Sequence, residues 1–192
     1  SGNLVKDTSD VRSAVTSYLQ GDASCAESDA CEWRNTHSEF RNPWFYPYRF
    51  CIEDARGNTI SGPCRADQDL WITVEANIEE VEPALTIGYS ISTDKGELLY
   101  WSYQTDRAPD QWPKLGKGKA KLRSMVPKRL FNEGTYRIEL AGGIHHRKWL
   151  FEPGVTSPSI TLSFHGGQSD SPMWMARRPG FLAPVLPWET VL

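Results

Sequence analysis

Residues 85–140 repeat one pattern. Leu85, Ile87, Tyr89 and Ile91 alternate with Thr86, Gly88 and Ser90, and Asp94-Lys95-Gly96 offers a turn. A run dense in Leu, Tyr and Trp follows, and after a Pro-, Gly- and Lys-rich excursion the alternation resumes at 122–126 and 134–140. A period of two puts successive side chains on opposite faces of a sheet. An apolar face then needs a second layer to cover it. Tyr136, Ile138 and Leu140 take the inner face, which turns Arg137 and Glu139 outward, and Trp101 and Tyr103 share one face by the same parity. The pattern predicts half of a sandwich whose free face carries rings and charges.

Other segments follow the same rule. Tyr48, Phe50 and Ile52 alternate into the turn residues Asp54, Gly57 and Asn58. Leu70, Ile72 and Val74 alternate with Trp71, Thr73 and Glu75, and Ile160, Leu162 and Phe164 close the series. Strands about every 8–12 residues, punctuated by Gly, Pro and Asn, predict an all-β fold, an immunoglobulin-like antiparallel β-sandwich. Ala141-Gly142-Gly143 is expected to end or bulge its strand. A helical period appears at 7–20, where Val11, Ala14, Val15, Tyr18 and Leu19 recur, Thr8, Ser9 or Asp10 caps and Gly21 stops it. Residues 1–42 are therefore read as a linker or arm with one short helix, and 43–192 as the sandwich. The tail, about 166–192, differs in character. Met173-Trp174-Met175 is a candidate strand, and 177–188 is Pro-rich and apolar. Such a tail packs on its own domain or on a partner, as in strand exchange between identical chains.

At 192 residues one domain is expected, with or without appendages. A net charge of −3 gives no electrostatic reason for nucleic acid or an anionic membrane as partner. No apolar run approaches the roughly 20 residues of a helical membrane span. The opening Ser1-Gly2 reads as part of a longer protein whose remainder would be N-terminal. Cys25, Cys31, Cys51 and Cys64 would pair 25 with 31 and 51 with 64 in an oxidising compartment. Reduced thiols are the expectation, because a domain of this size needs no staples. Neither a metal nor a cofactor is expected, since the Cys and His spacings lack a finger pattern. The nucleophile elbow, zinc-protease, P-loop and dinucleotide fingerprints are missing from the sequence too.

Eight Trp are many for this length. Trp71, Trp101, Tyr103, Trp112 and Trp149 are either core or rings on an open face, where bare aromatics are costly and a sugar ring would cover them. Arg137 offers a planar fork to a carboxylate or phosphate, or else a cross-strand ion pair. Glu75 and Glu139 are candidates for the carboxylate pair of a glycosidase, which needs a set separation across one cleft. Surface ion pairs are the commoner use of such residues. His145 and His146, adjacent on a strand, would point to opposite faces, so holding one metal ion together with His165 needs a bend. The rim of a polar pocket, or plain exposure, suits them better.

Four runs in order carry a resemblance: Asp-Leu-Trp-Ile-Thr-Val at 69–74, Ala-Leu-Thr-Ile-Gly-Tyr-Ser-Ile at 84–91, Asp-Lys-Gly-Glu-Leu-Leu-Tyr at 94–100 and Leu-Phe-Asn-Glu-Gly-Thr-Tyr-Arg-Ile-Glu-Leu at 130–140. Arg178-Pro179-Gly180-Phe181 and Pro187-Trp188 close it. Residues 46–188 resemble the C-terminal carbohydrate-binding domain of the ATPase subunit of O-antigen polysaccharide ABC transporters. The resemblance implies an immunoglobulin-like sandwich, a homodimer through C-terminal strand exchange, and no chemistry in this domain. It implies binding of the modified non-reducing end of a lipid-linked glycan at the cytoplasmic face of the bacterial inner membrane. Its implied partners are the ATPase domain, with the early helix as connector, and the transporter membrane subunit. Members often carry small residues with Asn or Thr after the Gly96 turn, where this chain has Trp101-Ser102-Tyr103-Gln104-Thr105. A different terminal sugar is therefore expected. The expected site is the outward face of the 98–103 and 134–140 strands: Trp101, Tyr103, Arg137 and Glu139, with His145 and His146 at its rim. Rings would set the sugar plane while Arg and Glu hold hydroxyls or an acid. A glycan-processing enzyme using Glu75 or Glu139, and a dimerisation or adaptor module without glycan binding, are the competing readings.

Overall fold

The computed structural model describes residues 31–174 and 177–191. The helix expected at 7–20 and Cys25 lie outside the described residues. Two antiparallel sheets are formed. The first takes β1 (Glu32–Arg34), β2 (Tyr46–Glu53), β3 (Leu70–Ile78) and, at its far edge, β6 (Gly118–Val126). The second takes β5 (Leu98–Tyr103), β4 (Leu85–Thr93) and β7 (Gly134–Ile144), and the far edge of β7 is shared by β8 (Lys148–Phe151) and β9 (Ser159–Phe164).

Parity decides what is buried. Leu70, Ile72, Val74, Ala76 and Ile78 of β3 face Leu85, Ile87, Tyr89 and Ile91 of β4 and Tyr136, Ile138 and Leu140 of β7 across the core. Each large apolar side chain taken from water there contributes about 1.5–3 kcal/mol before entropy is counted. The Tyr89 and Ser124 hydroxyls lie 2.9 Å apart, a polar tie between the sheets. Phe131 stacks on Tyr100 and Phe164 where the sandwich closes.

Three expectations are sharpened. β7 does not end at Ala141. It runs to Ile144 and bulges instead, its register with β8 shifting between Gly142 and Gly143. A Cβ on Gly142 would meet Phe151 at 2.8 Å, and one on Gly143 would meet the Lys148 carbonyl at 2.5 Å, so only glycine lets β8 approach. Cys51 and Cys64 are separate buried thiols rather than a pair. Cys51 faces Glu53, Cys64 faces the Ser163 carbonyl, and burial pushes both thiols up to about 12. The candidate strand at 173–175 is not formed by Met173 and Trp174, which stand exposed, and Met175 lies outside the described residues.

The tail is docked over one short stretch. Leu182 bridges Phe131, the Asn132 amide donates to the Phe181 carbonyl at 2.9 Å, and the Ala183 amide donates to Leu130 at 3.0 Å. The fully buried Asn132 side chain donates to the Arg178 and Gly180 carbonyls, and the Tyr136 hydroxyl reaches the Phe181 carbonyl at 2.9 Å. Past Ala183 the apolar Val185, Leu186, Trp188 and Val191 are exposed. Asn132→Ala removes the buried side-chain amide that donates to both carbonyls, so a loss of about 2 kcal/mol is expected in urea unfolding. Faster tryptic cutting after Arg177 should accompany it, because the same bonds hold that segment down.

Candidate functional site

The outer face of the second sheet is built by register. β4 turns Thr86, Gly88, Ser90 and Ser92 outward, and β7 sets Gly143, Ala141, Glu139 and Arg137 opposite them. β5 sets Tyr103 beside Gly88 and Trp101 beside Ser90, while β8 sets Trp149 beside Gly143. The central strands thus lay a floor of mostly small residues, and the flanking strands raise walls of rings. Trp101 lies 6.0 Å, centroid to centroid, from both Tyr103 and Trp149. The rings are half-buried to exposed, outside the core.

A hollow of about 490 Å³ opens on this face. Tyr103 and Trp149 wall it, Thr86 and Gly143 lie at its base, and the β7–β8 turn from His145 to Lys148 forms its rim. That turn is tight. His146 takes φ +56°, a left-handed conformation in which His is enriched, and the Arg147 amide donates back to Ile144 at 2.8 Å. His145 and His146 therefore sit on a turn rather than a strand, with ring centroids 3.9 Å apart, which corrects the opposite-faces expectation. His165 lies past β9, beside Glu133 and at the other end of β7, so it cannot join them. Among the described residues no cluster of three or more His, Cys, Asp or Glu could hold a metal ion.

The electrostatics of the hollow are one-sided. No carboxylate lines it. Arg147 is paired with Glu82 at 2.7 Å outside it, and the Lys148 ammonium lies 3.9 Å over the Trp44 ring. Burial, and secondarily the Asp106 carboxylate, raise the Tyr103 phenol above its ordinary value, so it remains a proton donor at neutral pH. Asp106 also accepts the Tyr103 backbone N–H at 2.8 Å, which anchors the end of β5.

Tyr103, His145 and His146 therefore meet at one hollow, with Trp101 bracing its walls. Arg137 and Glu139 do not reach it. They pair with each other at 3.3 Å farther down β7, and Glu139 also accepts the Gly154 N–H at 3.2 Å. Glu75 lies on the outer face of the first sheet, 2.9 Å from Arg49 and 3.4 Å from Lys121. Glu75 and Glu139 thus stand on opposite faces of the sandwich and flank no common cleft, so the two-carboxylate geometry of a glycosidase is not met by them. Trp149, Thr86, Thr105, Arg147 and Lys148 join the hollow without having been singled out as site residues. Trp149 shows as an aromatic in the sequence, but its partner Gly143 becomes visible only with the register of the bulged hairpin.

Fold and face together define an all-β antiparallel sandwich with one ring-walled, carboxylate-free hollow on a sheet face. No family model matches the chain, and no curated protein matches it. Among solved structures it is similar to one described as the crystal structure of the C-terminal domain of wzt, with a TM-score of 0.53 and 15% identity, covering 83% of this chain and 87% of that one. That likeness shows the fold, and it agrees with the sandwich expected from the alternation.

Proposed function

We propose that this domain is a non-catalytic carbohydrate-binding module. In this reading it recognises the modified non-reducing terminus of a lipid-linked O-antigen polysaccharide and couples chain completion to export by an ABC transporter. The observation that carries the reading is the ring-walled hollow of about 490 Å³. Its size is that of a small-ligand site. Flat rings over a floor of Gly and Thr suit the apolar faces of a pyranose, and the His, Arg and Lys rim suits hydroxyls and an acidic substituent. The ordered sequence resemblance and the fold likeness to the C-terminal domain of wzt point the same way. The setting that goes with this reading is the cytoplasmic face of the inner membrane, beside an ATPase domain and a membrane subunit. No helix among the described residues is long and apolar enough to cross a membrane.

Calorimetry with the capped O-polysaccharide of the source cell tests the proposal. Trp149→Ala and Tyr103→Ala are each expected to weaken binding by about tenfold or more, as anchor rings do. Arg137→Ala, off the hollow, should cost less than about fivefold. Unchanged affinity in both ring variants would discard the site. A second reading, a dimerisation module, draws on the bare apolar run past Ala183. We propose that this run pairs two copies by strand exchange, and light scattering of a chain truncated after Ala183 should then show a monomer.

A further inference from the structure

We infer that a second subsite, next to the hollow, holds the sugar residue that follows the terminal one, so that the module reads linked pyranoses rather than a lone cap. This rests on the carbohydrate reading of the hollow itself. A smaller cleft of about 160 Å³ opens at the end of the sandwich, lined by Trp44, Glu82, Gln104, Thr105, Trp112 and Pro113 among others. It adjoins the hollow, because Thr105 lines both. Two contacts knit the shared wall. Glu82 of the cleft pairs with Arg147 of the hollow at 2.7 Å, and Lys148 of the hollow lies 3.9 Å over Trp44 of the cleft.

Trp112 offers the cleft a ring. It stands on the irregular segment between β5 and β6, just after the 3-10 turn Pro109–Gln111, and is 38% exposed. Its indole N–H is already satisfied by the Arg107 carbonyl at 2.7 Å. What Trp112 leaves to water is therefore ring rather than polar edge, and a fixed bare ring is what stacking on a sugar requires. The wall behind it is rigid. The Gln104 side chain accepts from the Ile87 N–H and donates to the Leu85 carbonyl at 2.9 Å, continuing the β4 edge past the end of β5. Its amide is thus committed to the fold. Glu82 Oε1 is likewise taken, accepting from the Ala84 N–H at 2.9 Å and pairing with Arg147, which leaves Glu82 Oε2 to accept sugar hydroxyls and Thr105 at the junction where a glycosidic linkage would pass.

The test is calorimetry with terminal fragments of one to four residues cut from the source cell's own O-polysaccharide. Affinity is expected to rise about tenfold from one residue to two, the gain of one added ring contact. Trp112→Ala should erase that gain and make all the fragments bind alike, while Trp112→Phe, which keeps a stacking ring, should retain most of it. Circular dichroism melts of both variants confirm that the loop change leaves the sandwich folded. A flat affinity from one to four residues, or an undiminished gain in Trp112→Ala, overturns the second subsite and leaves the hollow standing. Absence of binding by every fragment overturns the carbohydrate reading together with it.

Discussion

Gly88→Ala is expected to cost about 3 kcal/mol or more and to abolish the proposed glycan binding in the same variant. Gly88 sits in the middle of β4, between Tyr103 of β5 and Ala141 of β7. An added Cβ would lie 2.0 Å from the Ser102 carbonyl oxygen and 2.7 Å from Tyr103 Cδ1. The first of these is backbone, so no side-chain rotation relieves it. β5 must move off as a unit, and the Gly88–Tyr103 and Ser90–Trp101 ladder positions open with it. Overpacking that side chains can absorb costs about 1–3 kcal/mol. Here a strand has to yield, so the upper end of that range is the starting point, against a total of about 5–15 kcal/mol for a domain. The shift also carries Trp101 and Tyr103 away from Trp149. Urea midpoints together with calorimetry check the pair of effects. A destabilisation below about 1 kcal/mol with binding intact would mean that β5 slides freely and that the floor does not position the rings.

The faces of the second sheet were legible in the chain because each of its long strands keeps strict parity. Knowing that Tyr136 and Ile138 point inward was enough to send Arg137 and Glu139 outward, and Trp101 and Tyr103 onto one face. What parity cannot give is distance along a face. Arg137 and Glu139 share the right face but stand well down β7 from the hollow, engaged with each other. The His145-His146 turn was hidden for another reason. A left-handed His146 closes the hairpin, and nothing in a run of His, Arg and Lys announces that conformation. Asn132 reads as an ordinary turn residue, yet its side chain holds a tail segment 46 to 48 residues away. Contacts of that kind depend on the assembled fold and leave no periodic trace.

The second large effect lies on the opposite face, at Glu53. This carboxylate ends β2 with 1% exposure, ringed by Lys121 at 3.0 Å, Arg49 at 3.1 Å and Arg123 at 3.4 Å, with the Thr73 hydroxyl donating at 3.0 Å. Arg49 extends the network to Glu32 and Glu75. Burial by itself would raise the Glu53 carboxyl, but donors from Lys121, Thr73 and Arg49 outweigh it and hold the group below the usual glutamate range. The folded value is thus below the unfolded one, about 4.3. The stabilisation is fully present above the unfolded value and is lost as pH falls through the folded one. Glu53→Gln keeps the shape but leaves the cations without their shared counter-charge. Breaking a buried pair costs about 3–5 kcal/mol, and partial exposure of Lys121 and Arg123 brings the expected loss at pH 7 to the lower end, about 3 kcal/mol. Unfolding curves taken from pH 7 to pH 3 should show the gap between variant and wild type narrowing below about pH 4.5, where the carboxylate of the unfolded chain begins to take up its proton ahead of the native one. A gap constant across that range would mean that the charge on Glu53 does not hold the three cations. The proposed glycan binding at pH 7 should be unchanged, since Glu53 and the hollow lie on opposite outer faces of the sandwich.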